Sequence, residues 1–281
     1  MLPFPVYIVH LFRASHRRVH MDEQLRLAGI TNYSYVEAVD GQKLGKADLS
    51  LHCSPDAKLS LGELGCYLSH RQIWEQMDRD GVEMALILED DVILSADIVP
   101  VLSQASRFPP NWELIHVADI SYQLSHAHVL NHWGRRSLAL SYQIGISMSS
   151  RVTGMGYLVH QRGLKRSLPR LGKDVDIPVD NVLFDYAKGG YFFHSMKPSL
   201  VFLKKDIESD IRVNRTEIEW KKGPSNLSFL ERIFVFLRNN IWVFLSFFPP
   251  PRRIYVYYPW GKMRFRYYIF RLVCDYFFRR R

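Results

Sequence analysis

The sequence predicts an α/β fold with a mainly parallel sheet, followed by a helical tail. The chain has 281 residues and is 47% hydrophobic, which is enough to bury a sizeable core. Apolar strand-like runs alternate with helix-like runs along residues 1–118, and a change of composition then separates a neutral body from a basic, aromatic tail. Alternating strand and helix patterns predict βαβ units, in which crossover helices join parallel strands.

The first unit consists of two strands and a helix. Residues 6–11 form an apolar run that predicts a buried strand, and residues 33–39 predict a second strand. Between them, residues 17–28 predict a helix. Gly29 closes this helix, because glycine is favoured just after a helix ends.

A capped helix leads into the next strand. Ser60 and Glu63 belong to an S-L-G-E capping box, which predicts a helix start, and apolar residues follow at helical spacing. The chain beyond predicts a strand, a helix capped by Ser95 and a further strand, at residues 84–88, 96–106 and 113–118.

Three consecutive acidic residues, Glu89, Asp90 and Asp91, follow the apolar strand at residues 84–88. Buried neighbouring carboxylates repel one another and lose hydration, so they require a cation or hydrogen-bond donors. Side-chain alternation predicts that Glu89 and Asp91 point one way and Asp90 the other. Carboxylates at a strand end suit Mg²⁺ or Mn²⁺, which bridge protein oxygens to substrate phosphates. The alternative is a solvated acidic turn.

Residues 59–94 resemble the central signature of glycosyltransferase family 25, the bacterial lipooligosaccharide galactosyltransferases and their relatives. The matching order is a G-E-x-G-C-x-x-S-H helix, a turn with Asp-Gly and an apolar strand that ends in E-D-D. Other segments resemble the family's first strand, second strand end, G-T-A-x-Y segment, P-V-D helix start and final strand: YIVHLFRASHRR, EAVDG, TGMGYLVHQRGLKRSL, DIPVDNVLF and KPSLVF…SDIR. The resemblance spans roughly residues 5–215.

This resemblance implies a GT-A Rossmann-like nucleotide-sugar-binding domain over residues 1–223, with a UDP-sugar donor and a divalent metal, Mn²⁺ or Mg²⁺. Asp91 would be the principal metal ligand, assisted by Glu89 or Asp90. The ends of the first two strands would hold the uridine. The implied donor-binding residues are Val9, His10, Leu11, Arg13, Glu37, Asp40, Ser69, His70, Asp90 and Gly154.

Several of these residues have a plainer structural interpretation. Ser69 and His70 are equally typical of the polar edge of a core helix, and Gly154 is typical of a bend in a strand. Arg17 and Arg18 open a predicted helix, and we interpret them as a solvated face rather than as phosphate ligands.

The resemblance implies an inverting transfer that gives a β-linked product. Such a single displacement needs one carboxylate to take the acceptor proton, as in inverting glycosidases. Asp180 in I-P-V-D is the candidate base, with a helix-capping role as the alternative, and Asp185 is the second candidate.

The sequence does not determine the donor sugar. His10, the T-G-M-G-Y segment and Leu203 depart from the family pattern near the donor. The resemblance therefore implies galactose, with UDP-glucose and UDP-N-acetylglucosamine as alternatives. Four histidines without strict ligand spacing are interpreted as loop residues near the acceptor: His116, His126, His128 and His132.

Residues 224–281 form the basic, aromatic tail. From residue 225 onward, eleven Lys and Arg against two acidic residues leave +9, which equals the net charge of the whole chain. Residues 226–248 carry an amphipathic helical stripe, and the uncharged run at residues 239–251 is shorter than the about 20 residues that span a bilayer. The tail therefore predicts monotopic attachment to an anionic membrane, with packing on the body as the alternative.

Combined with the basic, aromatic tail, the family resemblance implies a peripheral enzyme at the cytoplasmic face of the inner membrane of a Gram-negative bacterium, where a lipid-linked oligosaccharide acceptor would be presented. Cys53, Cys66 and Cys274 have no C-x-x-C spacing, which predicts neither a zinc site nor disulfides and favours a reducing compartment. The apolar start, with Pro3 and Pro5 and no preceding basic segment, argues against a signal peptide. The alternative classes are an inactive transferase-like protein and a basic nucleic-acid-binding or membrane-binding protein without catalysis, although no nucleic-acid partner is expected.

Overall fold

The computed structural model describes residues 1–55, 57, 59–119, 130, 135–146, 153–167, 175, 178–180 and 193–204. The strands in this part are β1 (Val6–His10), β2 (Tyr33–Glu37), β3 (Met84–Glu89), β4 (Val92–Leu94), β5 (Leu114–His116), β6 (Arg136–Ser137), β7 (Gln143–Ile146), β8 (Gly156–His160), β9 (Phe193–Lys197) and β10 (Val201–Leu203). The helices are α1 (Ser15–Ala28), α2 (Lys46–His52), α3 (Leu61–Arg79), α4 (Ile98–Leu102) and α5 (Gln161–Ser167). Among these helices, none is long and apolar enough to cross a bilayer.

Several predictions fall on residues outside this part of the chain. They are the tail and its boundary, the second candidate base and three of the four histidines, namely residues 224–281, Asp185, His126, His128 and His132.

The predicted helix end at Gly29 and the predicted helix start at Ser60 are both present in the structure. Gly29 adopts the left-handed conformation (φ 70°) and its N–H bonds to the last carbonyls of α1. At the start of α3, the Ser60 hydroxyl accepts from the Glu63 N–H at 3.2 Å, and the Glu63 carboxylate accepts from the Ser60 N–H at 2.9 Å. The predicted capping box is therefore confirmed.

Helix α4 is shorter than predicted. It covers five residues, and a 3₁₀ turn at Ala105–Arg107 follows it. The Ser103 hydroxyl and the Gln104 amide both donate to the Pro100 carbonyl, at 3.2 and 3.1 Å. Because these side chains compete for a carbonyl near the helix end, the helix stops early.

One eight-stranded sheet has the order β2-β1-β3-β8-β5-β9-β7-β6. β1 pairs in parallel with β2 and β3, and β5 pairs in parallel with β9. β8 lies antiparallel between β3 and β5, and β7 runs antiparallel to β9 and β6. Six of these strands therefore run in one direction and two in the other, which confirms the predicted mainly parallel, Rossmann-like α/β sheet.

The two long helices cover opposite faces of the sheet. Met21 and Leu25 of α1 pack with Ile8 of β1 in one core cluster, whereas Trp74 and Met77 of α3 belong to the other. Because β2 and β3 lie on either side of β1, the chain reverses its winding at β1. Such a switch point opens a crevice at the carboxyl ends of the strands, which is where ligands bind in this kind of sheet.

Candidate active site

The site lies at the carboxyl end of β3, where α3 begins and the segment before β8 passes. Glu89 is the last residue of β3, and its N–H donates to the Met155 carbonyl at 3.0 Å. The Lys204 N–H, just after β10, donates to the Asp91 carbonyl at 3.2 Å. Backbone contacts from two distant segments therefore fix the acidic turn.

Glu89, Asp180 and His70 converge on Gly154. The Gly154 N–H donates to Asp180 Oδ1 at 2.8 Å. A methyl carbon built on Gly154 would lie 3.0 Å from Asp180 Oδ1, 3.2 Å from Glu89 Oε1 and 3.5 Å from His70 Nε2. Glycine thus leaves open the space that these three side chains face.

The site carries more negative charge than the protein around it compensates. Burial raises the pKa of Glu89 to about 7, and the Asp90 carboxylate adds to the rise. Burial likewise raises the pKa of Asp91 and of Asp180 to about 7 each, and in both the Glu89 carboxylate adds to the rise. Burial lowers the pKa of His70 to about 4, so this imidazole is neutral at physiological pH.

Two polar atoms of this site have no hydrogen-bond partner among the described residues. They are Asp91 Oδ1 and His70 Nε2, and both are buried. Buried polar atoms are almost always paired in proteins, so orphaned atoms at a strand end point to a bound group. Glu89 and Asp91 provide the carboxylate oxygens that Mg²⁺ or Mn²⁺ prefers, and the uncompensated charge around them fits such a cation.

Asp90 points to the opposite face and is compensated by the protein itself. It accepts from Arg17 Nη1 at 3.0 Å, and its other oxygen lies 2.7 Å from His10 Nδ1. The predicted opposite orientation of Glu89 and Asp90 is thus confirmed. The charge of Asp91 is partly compensated as well, because its Oδ2 lies 3.7 Å from the same Arg17 nitrogen.

The solvated-face interpretation is wrong for Arg17, which is only 6% exposed. Packing of α1 against the end of β3 brings Arg17 Nη1 to 3.0 Å from Asp90 Oδ1 and 3.7 Å from Asp91 Oδ2. For Arg18 the interpretation holds: its side chain is half exposed and covers the Tyr35 ring at 3.8 Å.

A cleft of about 660 Å³ lies at the ends of β1 and β2, beside α3. Four of the predicted donor-binding residues line it: Leu11, Arg13, Glu37 and Asp40. Arg13 Nε donates to Asp40 Oδ2 at 2.8 Å, which holds both side chains at the rim. The size of the cleft falls in the range of small-molecule pockets.

Two other predicted donor-binding residues, Val9 and Ser69, do not line the cleft but pack or bond with the elements around it. Val9 is buried in the core cluster that α3 shares. The Ser69 hydroxyl accepts from the Val39 N–H at 2.8 Å and donates to the Gly65 carbonyl at 2.6 Å. Ser69 therefore ties the end of β2 to α3, which is a positioning role.

The loop interpretation is wrong for His116. This residue ends β5 and is fully buried, and its Nε2 lies 3.4 Å from the Thr153 N–H. Its position is the end of a central strand, because β8 and β9 cover both edges of β5.

Sequence reasoning missed Cys66 and the support behind His70. Cys66 Sγ, His70 and Glu89 offer ligand atoms that all lie within 4.8 Å of one another. The signal was present, because residues four apart on a helix lie on the same face. Tyr157 of β8, which bonds to His70 Nδ1 at 2.8 Å, could only be found from the fold.

The family model described as "Glycosyltransferase family 25 (LPS biosynthesis protein)" matches residues 4–183, which include the acidic turn, His70 and Asp180. The chain belongs to glycosyltransferase family 25. The predicted family resemblance is thereby confirmed, over a range that ends before the predicted residue 215.

Three curated relatives place this family 25 chain among both animal and bacterial members. A "Glycosyltransferase 25 family member" of Anopheles gambiae is 27% identical over 199 residues, which are 63% of this chain and 31% of the relative. "Procollagen galactosyltransferase 1-A" of Xenopus laevis is 25% identical, over 63% of this chain and 30% of the relative. "Lacto-N-neotetraose biosynthesis glycosyltransferase LgtB" of Neisseria gonorrhoeae is 25% identical over 78% of this chain and 86% of the relative. The chain thus spans about a third of the length of the animal relatives.

Proposed function

We propose that the protein is an inverting glycosyltransferase that moves a hexose, galactose by family expectation, from a UDP-sugar to a lipooligosaccharide or lipopolysaccharide core acceptor. One observation carries the proposal. Glu89 and Asp180 meet at Gly154, Asp91 follows two residues after Glu89 at the carboxyl end of β3, and a cleft of about 660 Å³ lies at the ends of the neighbouring strands β1 and β2.

The cleft at the ends of β1 and β2 is the proposed uridine site. Its lining includes the polar residues Arg13, Glu37 and Asp40. Since the cleft and the acidic turn share the strand ends of one sheet edge, a diphosphate would connect the two.

Glu89 and Asp91 are the proposed ligands of a divalent cation. When bound, this cation supplies a Lewis acid that neutralises the charge developing on the departing diphosphate. The two side chains are held in place by the backbone contacts of the acidic turn.

Asp180 is the proposed base for the acceptor hydroxyl. The Gly154 N–H fixes Asp180 Oδ1 at 2.8 Å, so the carboxylate is oriented before substrate binds. Burial, and after it the Glu89 carboxylate, raises the pKa of Asp180 to about 7, which favours taking up a proton. Helix capping is the alternative role, but Val179 and Asp180 are both already helical and the Asp180 carboxylate accepts from the Gly154 N–H.

A donor panel tests the proposal. Purified full-length protein is incubated with UDP-galactose, UDP-glucose or UDP-N-acetylglucosamine and Mn²⁺, and UDP release is followed with and without EDTA. We expect release with one preferred donor, its loss with EDTA and a β-linked product by NMR. The absence of release with every donor would overturn the transferase proposal, and an α-linked product would overturn inversion.

The attachment to an anionic membrane surface through residues 225–281 is a separate part of the proposal. Its support is the +9 charge and the aromatic content of the tail. Each basic residue near anionic lipid contributes about 1 kcal/mol, so replacing Arg279, Arg280 and Arg281 by Gln should weaken binding to anionic vesicles strongly. Equal sedimentation of both proteins with anionic and zwitterionic vesicles would contradict this attachment and the proposed location at the cytoplasmic face of the inner membrane.

A further inference from the structure

Three different metal-ligand atoms meet between the first half of α3 and the end of β3. Cys66 and His70 are one helical turn apart on α3, and Glu89 reaches them from the end of β3. The thiol sulfur, an imidazole nitrogen and a carboxylate oxygen lie within 4.8 Å of one another. Sequence spacing predicted no zinc site, because the third ligand comes from another element.

His70 is held with one nitrogen facing this group. Its side chain is fully buried, Nε2 has no hydrogen-bond partner among the described residues, and Glu89 Oε1 is 3.8 Å away, too far for a hydrogen bond. A buried imidazole nitrogen without a hydrogen-bond partner, beside a thiol and a carboxylate, is suited to bind a metal ion.

A supporting contact fixes the other nitrogen of the ring. His70 Nδ1 lies 2.8 Å from the Tyr157 hydroxyl, and Trp74 Nε1 donates to the same oxygen at 2.9 Å. A phenol oxygen can accept both N–H groups, which leaves the Nε2 lone pair free to bind a metal. Metal-binding histidines generally donate their second N–H in this way.

The space around Cys66, His70 and Glu89 can admit a metal ion. Gly154 has no side chain, and a methyl there would lie 3.5 Å from His70 Nε2 and 3.2 Å from Glu89 Oε1. Cys66 and Glu89 are only partly buried, so an ion can reach the group from solvent.

We propose that Cys66, His70 and Glu89 bind Zn²⁺ at a site that shares Glu89 with the proposed catalytic carboxylates. A sulfur, nitrogen and oxygen set favours Zn²⁺ or Co²⁺ over Mg²⁺ and Mn²⁺, which prefer oxygen alone. Three protein ligands leave a fourth position open. Because one carboxylate serves both sites, Zn²⁺ competes with the activating cation and inhibits transfer; this consequence, unlike the binding itself, rests on the proposed function.

Cobalt spectroscopy tests the binding without any activity measurement. Full-length protein without a histidine tag is stripped of metal and titrated with Co²⁺. We expect a thiolate-to-cobalt charge-transfer band at one equivalent, displaced by Zn²⁺ but not by Mg²⁺. Cys66→Ser should abolish the band, whereas Cys53→Ser and Cys274→Ser should retain it.

A second measurement keeps the test independent of the cysteine variant. Tyr157→Phe leaves all three ligands in place but removes the acceptor of the His70 proton, so the affinity for Co²⁺ should fall about tenfold or more. Circular dichroism verifies that each variant is folded. The proposal is overturned if wild-type protein shows no charge-transfer band, or if the band persists in folded Cys66→Ser protein.

Inhibition is then measured separately. With the preferred donor and Mn²⁺, Zn²⁺ should inhibit wild-type turnover, and added Mn²⁺ should relieve the inhibition. A charge-transfer band without inhibition by Zn²⁺ would support the zinc site but would contradict the proposed competition with the activating cation. Absent turnover together with a normal band would reject the proposed function and leave the zinc site standing.

Discussion

The acidic residues of the turn at 89–91 lie in two different electrostatic environments. One environment compensates the carboxylate, and the other does not. On the α1 face, Asp90 is neutralised by Arg17 at 3.0 Å and bonded to His10. On the α3 face, Glu89 faces neutral His70 and a second carboxylate, Asp180. The first region is satisfied within the protein, whereas in the second Asp91 Oδ1 and His70 Nε2 have no hydrogen-bond partner among the described residues.

This difference separates structural from chemical roles. Removing a partner from the compensated region leaves a buried charge uncovered and costs stability. Removing a carboxylate from the uncompensated region relieves repulsion and should cost activity alone. Substitutions in the compensated region should therefore lower stability, whereas substitutions in the uncompensated region should lower activity. Four tests of this difference follow, in decreasing order of expected effect.

Asp91→Asn should have the largest effect. We expect UDP release to fall to background, because the substitution removes a proposed cation ligand while the shape stays the same. Urea unfolding of metal-free protein should show a midpoint no lower than that of wild type. Asp78→Asn, exposed on α3, is the matched control and should keep full activity. Near-normal turnover in Asp91→Asn would remove Asp91 from the cation site.

Asp180→Asn should lower kcat by about 10²- to 10⁴-fold, the usual contribution of a positioned base. Asparagine can still accept the Gly154 N–H, so UDP affinity by calorimetry should be unchanged. The same substitution at Asp185 separates the two candidate bases. A larger loss of kcat in Asp185→Asn than in Asp180→Asn would reverse their assignment.

Arg17→Gln should show the opposite signature. The substitution uncovers the buried Asp90 carboxylate, and breaking a buried pair in this way costs about 3–5 kcal/mol in the free energy of unfolding. Arg18→Gln, on the exposed side of the same helix, should cost about 1 kcal/mol or less. Equal urea midpoints for the two variants would show that Asp90 does not depend on Arg17.

Ser69→Ala should have the smallest effect. It leaves the Val39 N–H without its hydroxyl partner, at a cost of about 1–3 kcal/mol. Since Ser69 joins the end of β2 to α3, UDP affinity should fall with stability. Ser50→Ala, exposed on α2, should change stability by no more than about 0.5 kcal/mol. Weaker UDP binding at unchanged stability would instead favour a direct contact of Ser69 with the nucleotide.

Local signals in the sequence were sufficient for the elements that build the site. Gly29, the Ser60–Glu63 box and the apolar runs each act within one turn or one strand, so β1, α1, β2, α3 and β3 could be predicted in order. The position of β8 between β3 and β5 could not, because its paired residues lie 41 to 76 positions earlier in the chain and no local pattern selects them.

The same distinction runs through the candidate site. The sequence by itself determined that three acids end a buried strand, that a capped helix precedes them and that this segment resembles glycosyltransferase family 25. Only the tertiary structure decided which acid is neutralised. Arg17 reaches Asp90 across 73 residues, Asp180 and Glu89 meet at Gly154, and Cys66 joins His70 and Glu89. The physical reason is that the interaction between charges depends on distance and burial, and packing of separate elements fixes both.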